Sequence, residues 1–269
     1  MSTNYVHGYN DRESLRLNAQ ADSLSELLHR DSLFPAGSLI LEAGCGVGAQ
    51  TKIIAAANPS SRFLSIDISN DSLRRARECI DAAGISNVDF RQGDIFDLPF
   101  PEGYFDHVFI CFVLEHLTNP VSALEALYKV VRKGGTVTVI EGDHGSAYYH
   151  PESSRARKVI DTQIRLQASN GGNALIGRQL YPLLVSAGFT GCTVSPRMVY
   201  VDASLPHFVE GFTRNTFTAM MEGIREKAIS SGMIDEAEFD KGIRDLYRTA
   251  EPDGVFCYTF FRGTGCRPA

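Results

Sequence analysis

The chain has 269 residues, 43% hydrophobic and 22% charged, with 26 basic against 32 acidic side chains and a formal net charge of −6. That length allows one α/β domain with insertions, and the balance supplies a sizeable apolar core. No basic run is long enough to follow a phosphate backbone, the densest being Arg155-Ala-Arg-Lys158, so nucleic acid is excluded as an expected partner.

The N-terminus, MSTNYVHGYNDRES, lacks the apolar centre of a secretory signal. Tyr5 and Tyr9 are four apart on an expected helix that either closes over a site, contributing to substrate binding, or docks on a second subunit in a homo-oligomer. From 38 to 141 strands and helices alternate. SLILEAG (38–44) is a strand, TKIIAAA (51–57) a helix, and RFLSIDIS (62–69) a second strand. NDSLRRARECIDAAG (70–84) is a capped helix, NVDFRQGD (87–94) a third strand and YFDHVFICFVL (104–114) a fourth. NPVSALEALYKVVRKGG (119–135) is a helix with a glycine stop, leading into the strand TVTVIEG (136–142). Near-continuously apolar strands separated by helices predict a parallel sheet covered on both faces.

Beyond 142 the alternation loosens. Residues 144–172 read as loop plus helix, GRQLYPLLVSAGF (177–189) as a helix, CTVSPRMVYVD (192–202) as a strand and 204–250 as mostly helical. GVFCYTFFRGTG (254–265) returns as a strand. The expected organisation is cap helices over 1–30, a cofactor-binding core over 31–143, a cap insertion over 144–176, and a core helix and strand over 177–202. A helical cap insertion over 203–253 and a final strand over 254–269 complete it. No apolar segment reaches the roughly 20 residues that span a bilayer, so no membrane partner is expected. The six cysteines form no CxxC pair, no histidine sits at metal-ligand spacing, and no metal is expected. Scattered thiols suit a reducing compartment, so the expected localisation is cytoplasmic.

The stretch ILEAGCGVGAQT (40–51) places glycines at 44, 46 and 48 after an apolar run. Such a loop lets backbone approach a ligand closely, and both a nicotinamide dinucleotide and S-adenosylmethionine are held this way. Gly44, Gly46 and Ala49 satisfy GxGxxA, and Asp67 at the end of the second strand suits ribose hydroxyls in either case. Glu42, inside the strand before the loop, favours a cofactor carrying a sulfonium and an ammonium over one carrying a pyrophosphate. Gly93-Asp94-Ile95 at the third strand's end can bring a carboxylate to an adenine amino group.

With these residues in order, LEAGCGVGAQT, SIDIS, RQGDIFDLPF, YFDHVFICFVLEHL and KVVRKGGTVTV resemble the successive motifs of the class I S-adenosylmethionine-dependent methyltransferases, tightly over about 35–142. The resemblance implies an α/β fold: a doubly wound, Rossmann-like, seven-stranded, mostly parallel sheet whose last strand is antiparallel, here with a helical cap from the N-terminus and two insertions. It implies S-adenosylmethionine as cofactor. Gly44, Cys45 and Gly46 would line the methionine moiety, with Glu42 orienting the loop. Asp67 would bind both ribose hydroxyls and Ile68 pack on the adenine. Asp94 and Ile95 would read the adenine edge, and Cys111 would lie near the amino acid end. The bland alternative for Ile68 and Ile95 is simple core.

Methyl transfer to oxygen or nitrogen uses a base to remove a proton, whereas an alkene needs an apolar, aromatic pocket and a proton acceptor afterwards. EGDHGSAYYHPES (141–153) supplies His144, Tyr148, Tyr149 and His150, and His116 follows the fourth strand. His144, His150 and His116 are the candidate catalytic bases; structural roles compete with each. Tyr200, Phe208, Phe212, Phe217, Met220 and Met221 are core residues or pocket lining, and Tyr148, Tyr149, Tyr200, Phe208 and Phe212 are the candidate acceptor contacts beside Tyr5 and Tyr9. The expected partner is thus a small, apolar or aromatic acceptor. EGDHGSAYYHPES, IGRQLYPLLVSAGF, SPRMVY and AEPDGVFCYTFF are similar to a prokaryotic subgroup of small-molecule methyltransferases. Within it they are similar to the C-methyltransferases of teleocidin-type alkaloid biosynthesis. That likeness implies secondary metabolism: C-methylation of a geranyl alkene on a terpenoid indole alkaloid, with cation-driven ring closure. The alternatives are O- or N-methylation with a cap histidine as base, and a cofactor-binding protein without transferase activity.

Overall fold

A computed structural model describes residue 21 and residues 24–269; Tyr5 and Tyr9 lie outside the described residues. A helical segment over 24–29 (α1) precedes β1 (Leu39–Ala43), α2 (Ala49–Ala57), β2 (Arg62–Asp67), α3 (Asn70–Ala82), β3 (Val88–Gln92) and β4 (Phe105–Cys111). Then come α4 (Pro120–Val130), β5 (Val131–His150), α5 (Ser154–Ser169), α6 (Leu180–Ser186) and β6 (Thr190–Val201). A helical stretch follows, made of α7 (Pro206–Phe208), π-helical backbone over Val209–Thr218 and α8 (Ala219–Gly223). The chain closes with α9 (Arg225–Ser230), α10 (Glu236–Arg248) and β7 (Val255–Cys266).

The strands form one sheet in the order β3-β2-β1-β4-β5-β7-β6. β1 pairs in parallel with β2 and β4, while β7 runs antiparallel to both β5 and β6. The expected doubly wound sheet with an inserted antiparallel last strand is therefore present. Local chemistry sets the boundaries. Ser69, Asn119, Ser153 and Asp235 cap α3, α4, α5 and α10 by accepting backbone N–H groups, and Pro120 opens α4 where no N–H is needed.

One expectation is corrected. Residues 144–150 were expected as loop, but β5 continues to His150. Its pairing with β7 skips from Asp143↔Thr259 to Tyr148↔Cys257, so 144–147 bulge out of the ladder. The Ser146 hydroxyl patches the gap, accepting the Thr259 N–H at 2.9 Å and donating to the Asp143 carbonyl at 2.7 Å.

Two apolar layers sandwich the sheet. One joins Leu41, Val108, Ile110 and Val139 to Leu124 and Leu127 of α4 and to Leu180 and Leu184 of α6. The other joins Ile40, Phe109 and Ile140 to the cap, through Val159 and Ile160 of α5, Phe212, Phe217, Met221, and Phe239 and Leu246 of α10. Each such fully buried side chain contributes roughly 1.5–3 kcal/mol. Sheet and cap thus share one continuous core, with the site where they meet. Among the described residues no helix is long and apolar enough to cross a membrane.

Candidate active site

A cavity of about 450 Å³ opens at the C-terminal ends of β1, β2 and β4, where parallel α/β sheets bind ligands, beside Gly142 and His144 in the middle of β5. All nine residues expected around the cofactor line it: Glu42, Gly44, Cys45, Gly46, Asp67, Ile68, Asp94, Ile95 and Cys111. The loop after β1 is shaped by its glycines. Gly44 has φ +78°, and a Cβ there would lie 2.5 Å from Val113. Gly46 has φ +53°, and a Cβ there would enter open space, so the loop's backbone forms the wall of a cradle. Asp67 stiffens that loop: one oxygen accepts the Gly46 N–H and the other the Ser69 N–H, each at 2.8 Å. Burial raises its pKa, while those N–H groups oppose the rise.

Glu42, expected to orient the loop, sits behind it. It is buried, and its Oε2 accepts the hydroxyls of Thr51 (2.7 Å) and Ser65 (2.6 Å), clamping α2 to β2. Burial pushes its pKa up to about 7 against those two hydrogen bonds, so near neutral pH it is only part ionised. Its main task is to hold the glycine loop. Cys45 and Cys111 are buried, and burial drives both thiols well above their usual range; they serve as small apolar walls.

The other half of the cavity is aromatic. Phe212 and Phe217 from the π-helical stretch meet Tyr258 of β7 at 5.9 and 5.5 Å between ring centroids, and Phe260 lies 4.7 Å from Tyr258. Phe112 packs on Phe260 at 5.6 Å and Met220 completes the wall. His144, carried inward by the β5 bulge, is buried with Nδ1 2.7 Å from the Tyr258 hydroxyl. Burial keeps that phenol protonated; the direction of the hydrogen bond follows the imidazole tautomer, and the tautomer with its hydrogen on Nδ1 donates to the phenol oxygen and makes Nε2 the basic nitrogen. His116 also lines the cavity.

Five expected site residues are elsewhere. His150 is exposed at the end of β5, paired with Val255. Tyr148 is 55% exposed and its hydroxyl reaches Met198 Sδ, because the bulge turns it away from the cavity. Tyr149 stacks on Phe256 and donates to the Ser153 carbonyl beneath α5. Tyr200 faces solvent on the edge strand β6, and Phe208 packs at the margin of the core shared with the cap. Tyr258, Phe260, Phe112 and Glu115 take their place. The alternation in FCYTFF, which puts Phe256, Tyr258 and Phe260 on one face of a strand, was the available signal for the first two.

Phe112 is a non-glycine residue at φ +59°. Its turn is fixed from below by buried Glu141, whose Oε1 accepts the N–H groups of Val113 (3.0 Å) and Leu114 (2.7 Å). Burial and the neighbouring Glu115 charge both raise the Glu141 pKa well above the carboxylate range, and among the described residues its buried second oxygen has no hydrogen-bond partner.

Residues 41–139 match the family described as Methyltransferase domain. An uncharacterized 37.1 kDa protein in transposon TN4556 of Streptomyces fradiae is 34% identical over 74% of this chain and 57% of its own length. The ubiquinone/menaquinone biosynthesis C-methyltransferase UbiE of Pseudomonas fluorescens is 34% identical over 39% of this chain and 42% of its own. The chain spans about half the length of the curated relatives it matches. Among solved structures, phosphoethanolamine N-methyltransferase 2 of Haemonchus contortus, bound to S-adenosylhomocysteine, superposes with a TM-score of 0.57. It is 16% identical over 92% of this chain and 53% of its own, a likeness of fold. Sheet order, glycine cradle and domain match agree: residues 41–139 form a methyltransferase domain, the fold is that of the class I S-adenosylmethionine-dependent methyltransferases, and S-adenosylmethionine is the cofactor such a domain binds.

Proposed function

We propose that the protein transfers a methyl group to carbon of an apolar small-molecule natural product, namely the geranyl alkene of an indole alkaloid, and that the cation so formed closes a ring. The observation that carries this reading is the aromatic half of the cavity, in which Phe112, Phe212, Phe217, Tyr258 and Phe260 face the space beyond the glycine cradle. The similarity to UbiE, a ubiquinone/menaquinone biosynthesis C-methyltransferase, supports the choice of carbon.

When bound, the cofactor supplies an electrophilic methyl group. Backbone of Gly44–Gly46 would hold its amino acid end, Asp67 the ribose, and Asp94 with Ile95 the adenine. The aromatic wall orients the alkene and excludes water, and each ring face steadies the developing cation by about 0.5–2 kcal/mol. As the acceptor's π pair becomes the new carbon–carbon bond, positive charge stays on the acceptor. After ring closure His144, or water, takes the proton that restores neutrality. The His144–Tyr258 hydrogen bond also favours a second reading, in which a hydroxyl or amine acceptor gives its proton to His144.

The experiment is incubation with cofactor labelled in the methyl group and a panel comprising a geranylated indole-lactam, prenylated phenols and simple amines, followed by mass spectrometry and carbon NMR. Label on a quaternary or newly formed ring carbon is the expected result. Label on oxygen or nitrogen alone, with loss of rate as pH falls through the histidine range, replaces it with the second reading.

A further inference from the structure

The polar side of the same cavity carries a carboxylate that the cofactor residues do not use. Glu115 lines the cavity with its side chain 13% exposed. A buried amide relay from α5 aims it. Gln163 donates to Gln167 Oε1 at 3.2 Å, and Gln167 Nε2 donates to both the Glu115 carbonyl (3.0 Å) and Glu115 Oε2 (3.1 Å). The Asn173 N–H also ties the Glu115 carbonyl at 2.7 Å, so backbone and one carboxylate oxygen are fixed. Among the described residues, the other oxygen, Oε1, has a long 3.6 Å approach to His116 Nε2 and no shorter polar contact. A carboxylate beside an aromatic wall loses hydration that a ligand's N–H or O–H restores. The Glu115 charge is felt at both Tyr258 and Glu141, which places it within electrostatic reach of the aromatic half.

We infer that Glu115 is the specificity-determining contact of the acceptor: its Oε1 receives a hydrogen-bond donor, an N–H or O–H, on the polar head of a molecule whose apolar tail lies on the Phe112–Phe260 wall. The inference rests on the proposed acceptor class and deepens it, because the cavity then selects an amphipathic acceptor with a donor at one end. Gln167 is a positioning residue in this arrangement.

The test is a binding titration on the full chain with S-adenosylhomocysteine present. The chain contains no tryptophan, so an indole ligand's own fluorescence reports binding directly. The probes are a geranylated indole-lactam, a geranylated phenol, and the counterpart of each with the donor alkylated. Glu115→Gln keeps the volume and can still accept from Gln167, but presents an amide instead of a carboxylate to the cavity. The expected result is about tenfold or greater loss of affinity for the donor-bearing probes, the loss of one charge-assisted hydrogen bond. Binding of the alkylated probes and of S-adenosylhomocysteine, measured by calorimetry, stays within about twofold, and Glu115→Asp recovers part of the donor preference. Equal loss for donor-bearing and alkylated probes, or equal loss of S-adenosylhomocysteine, overturns the inference and assigns Glu115 to packing or to the cofactor end. If no donor-bearing probe binds the wild-type chain, the proposed acceptor class falls and the inference with it.

Discussion

At the scale of single residues, the site rests on buried carboxyl groups with unequal tasks. Glu42 titrates near 7 in the folded chain against an ordinary value of 4.5. Because the folded pKa is raised, its favourable contribution is complete below about pH 4.5, fades as pH rises, and is gone once pH passes about 7. The difference amounts to about 3 kcal/mol. Glutamine matches the protonated side chain, so Glu42→Gln should equal wild type in urea denaturation near pH 4.5 and become more stable than wild type towards pH 7. Parallel pH curves for the two proteins would show that Glu42 ionises normally in the folded state. The sequence made Glu42, Asp67 and Asp94 legible because carboxyl groups at strand ends around a glycine loop have few packing roles. It did not reveal that Glu42 is clamped by Thr51 and Ser65, since those partners are 9 and 23 residues away and meet only when β1, α2 and β2 assemble.

Single elements decide what the acceptor half contains. The β5 bulge delivers His144 to the cavity and turns Tyr148 out, and Ser146 is the side chain that closes the broken ladder. Removing its hydroxyl leaves the Thr259 N–H without its partner. Ser146→Ala should therefore cost about 1–2 kcal/mol in denaturant unfolding and lower methyl transfer while cofactor affinity stays within about twofold. Ser146→Thr, which keeps the hydroxyl, should restore both. An alanine variant of full stability would remove the bulge from the account of His144. The π-helical backbone acts similarly on Phe212 and Phe217. Five residues apart, they share a face under i→i+5 pairing, and Thr216 Oγ1 donating to the Gly211 carbonyl at 2.7 Å follows that spacing. Periods of 3.6 and 2 describe regular helices and strands, so neither the bulge nor the π-helix was readable from residue spacing. Tyr148 was sought in the cavity for that reason, whereas the elements of 38–141 were placed in the right order and mostly within two or three residues; the exception is the junction of α4 and β5, expected at 135 and found at 130.

At the largest scale, the described residues form a mostly parallel sheet whose ligand end is roofed by helices sharing its core, with Ile40, Phe109 and Ile140 of the sheet and Phe217, Met221 and Phe239 of the cap in one apolar cluster. A ligand between sheet and roof touches both, so binding should stabilise them together. At about 100 times its dissociation constant, a single-site ligand adds about 2.7 kcal/mol, and a chain of this size gains about 2–4 °C in Tm for each kcal/mol. S-adenosylmethionine should accordingly raise a single calorimetric transition by about 5–10 °C, and a nicotinamide dinucleotide at equal concentration should leave it in place. Two transitions, of which the cofactor moved only one, would mean that the cap folds apart from the sheet. A shift with the dinucleotide in place of S-adenosylmethionine would instead return the glycine loop to its other possible ligand, since GxGxxA and a strand-end aspartate serve both. The cavity's aromatic half distinguishes the two physically: it offers a reacting methyl group an apolar neighbour, and among the described residues that line the cavity no lysine or arginine meets the phosphates of a second nucleotide.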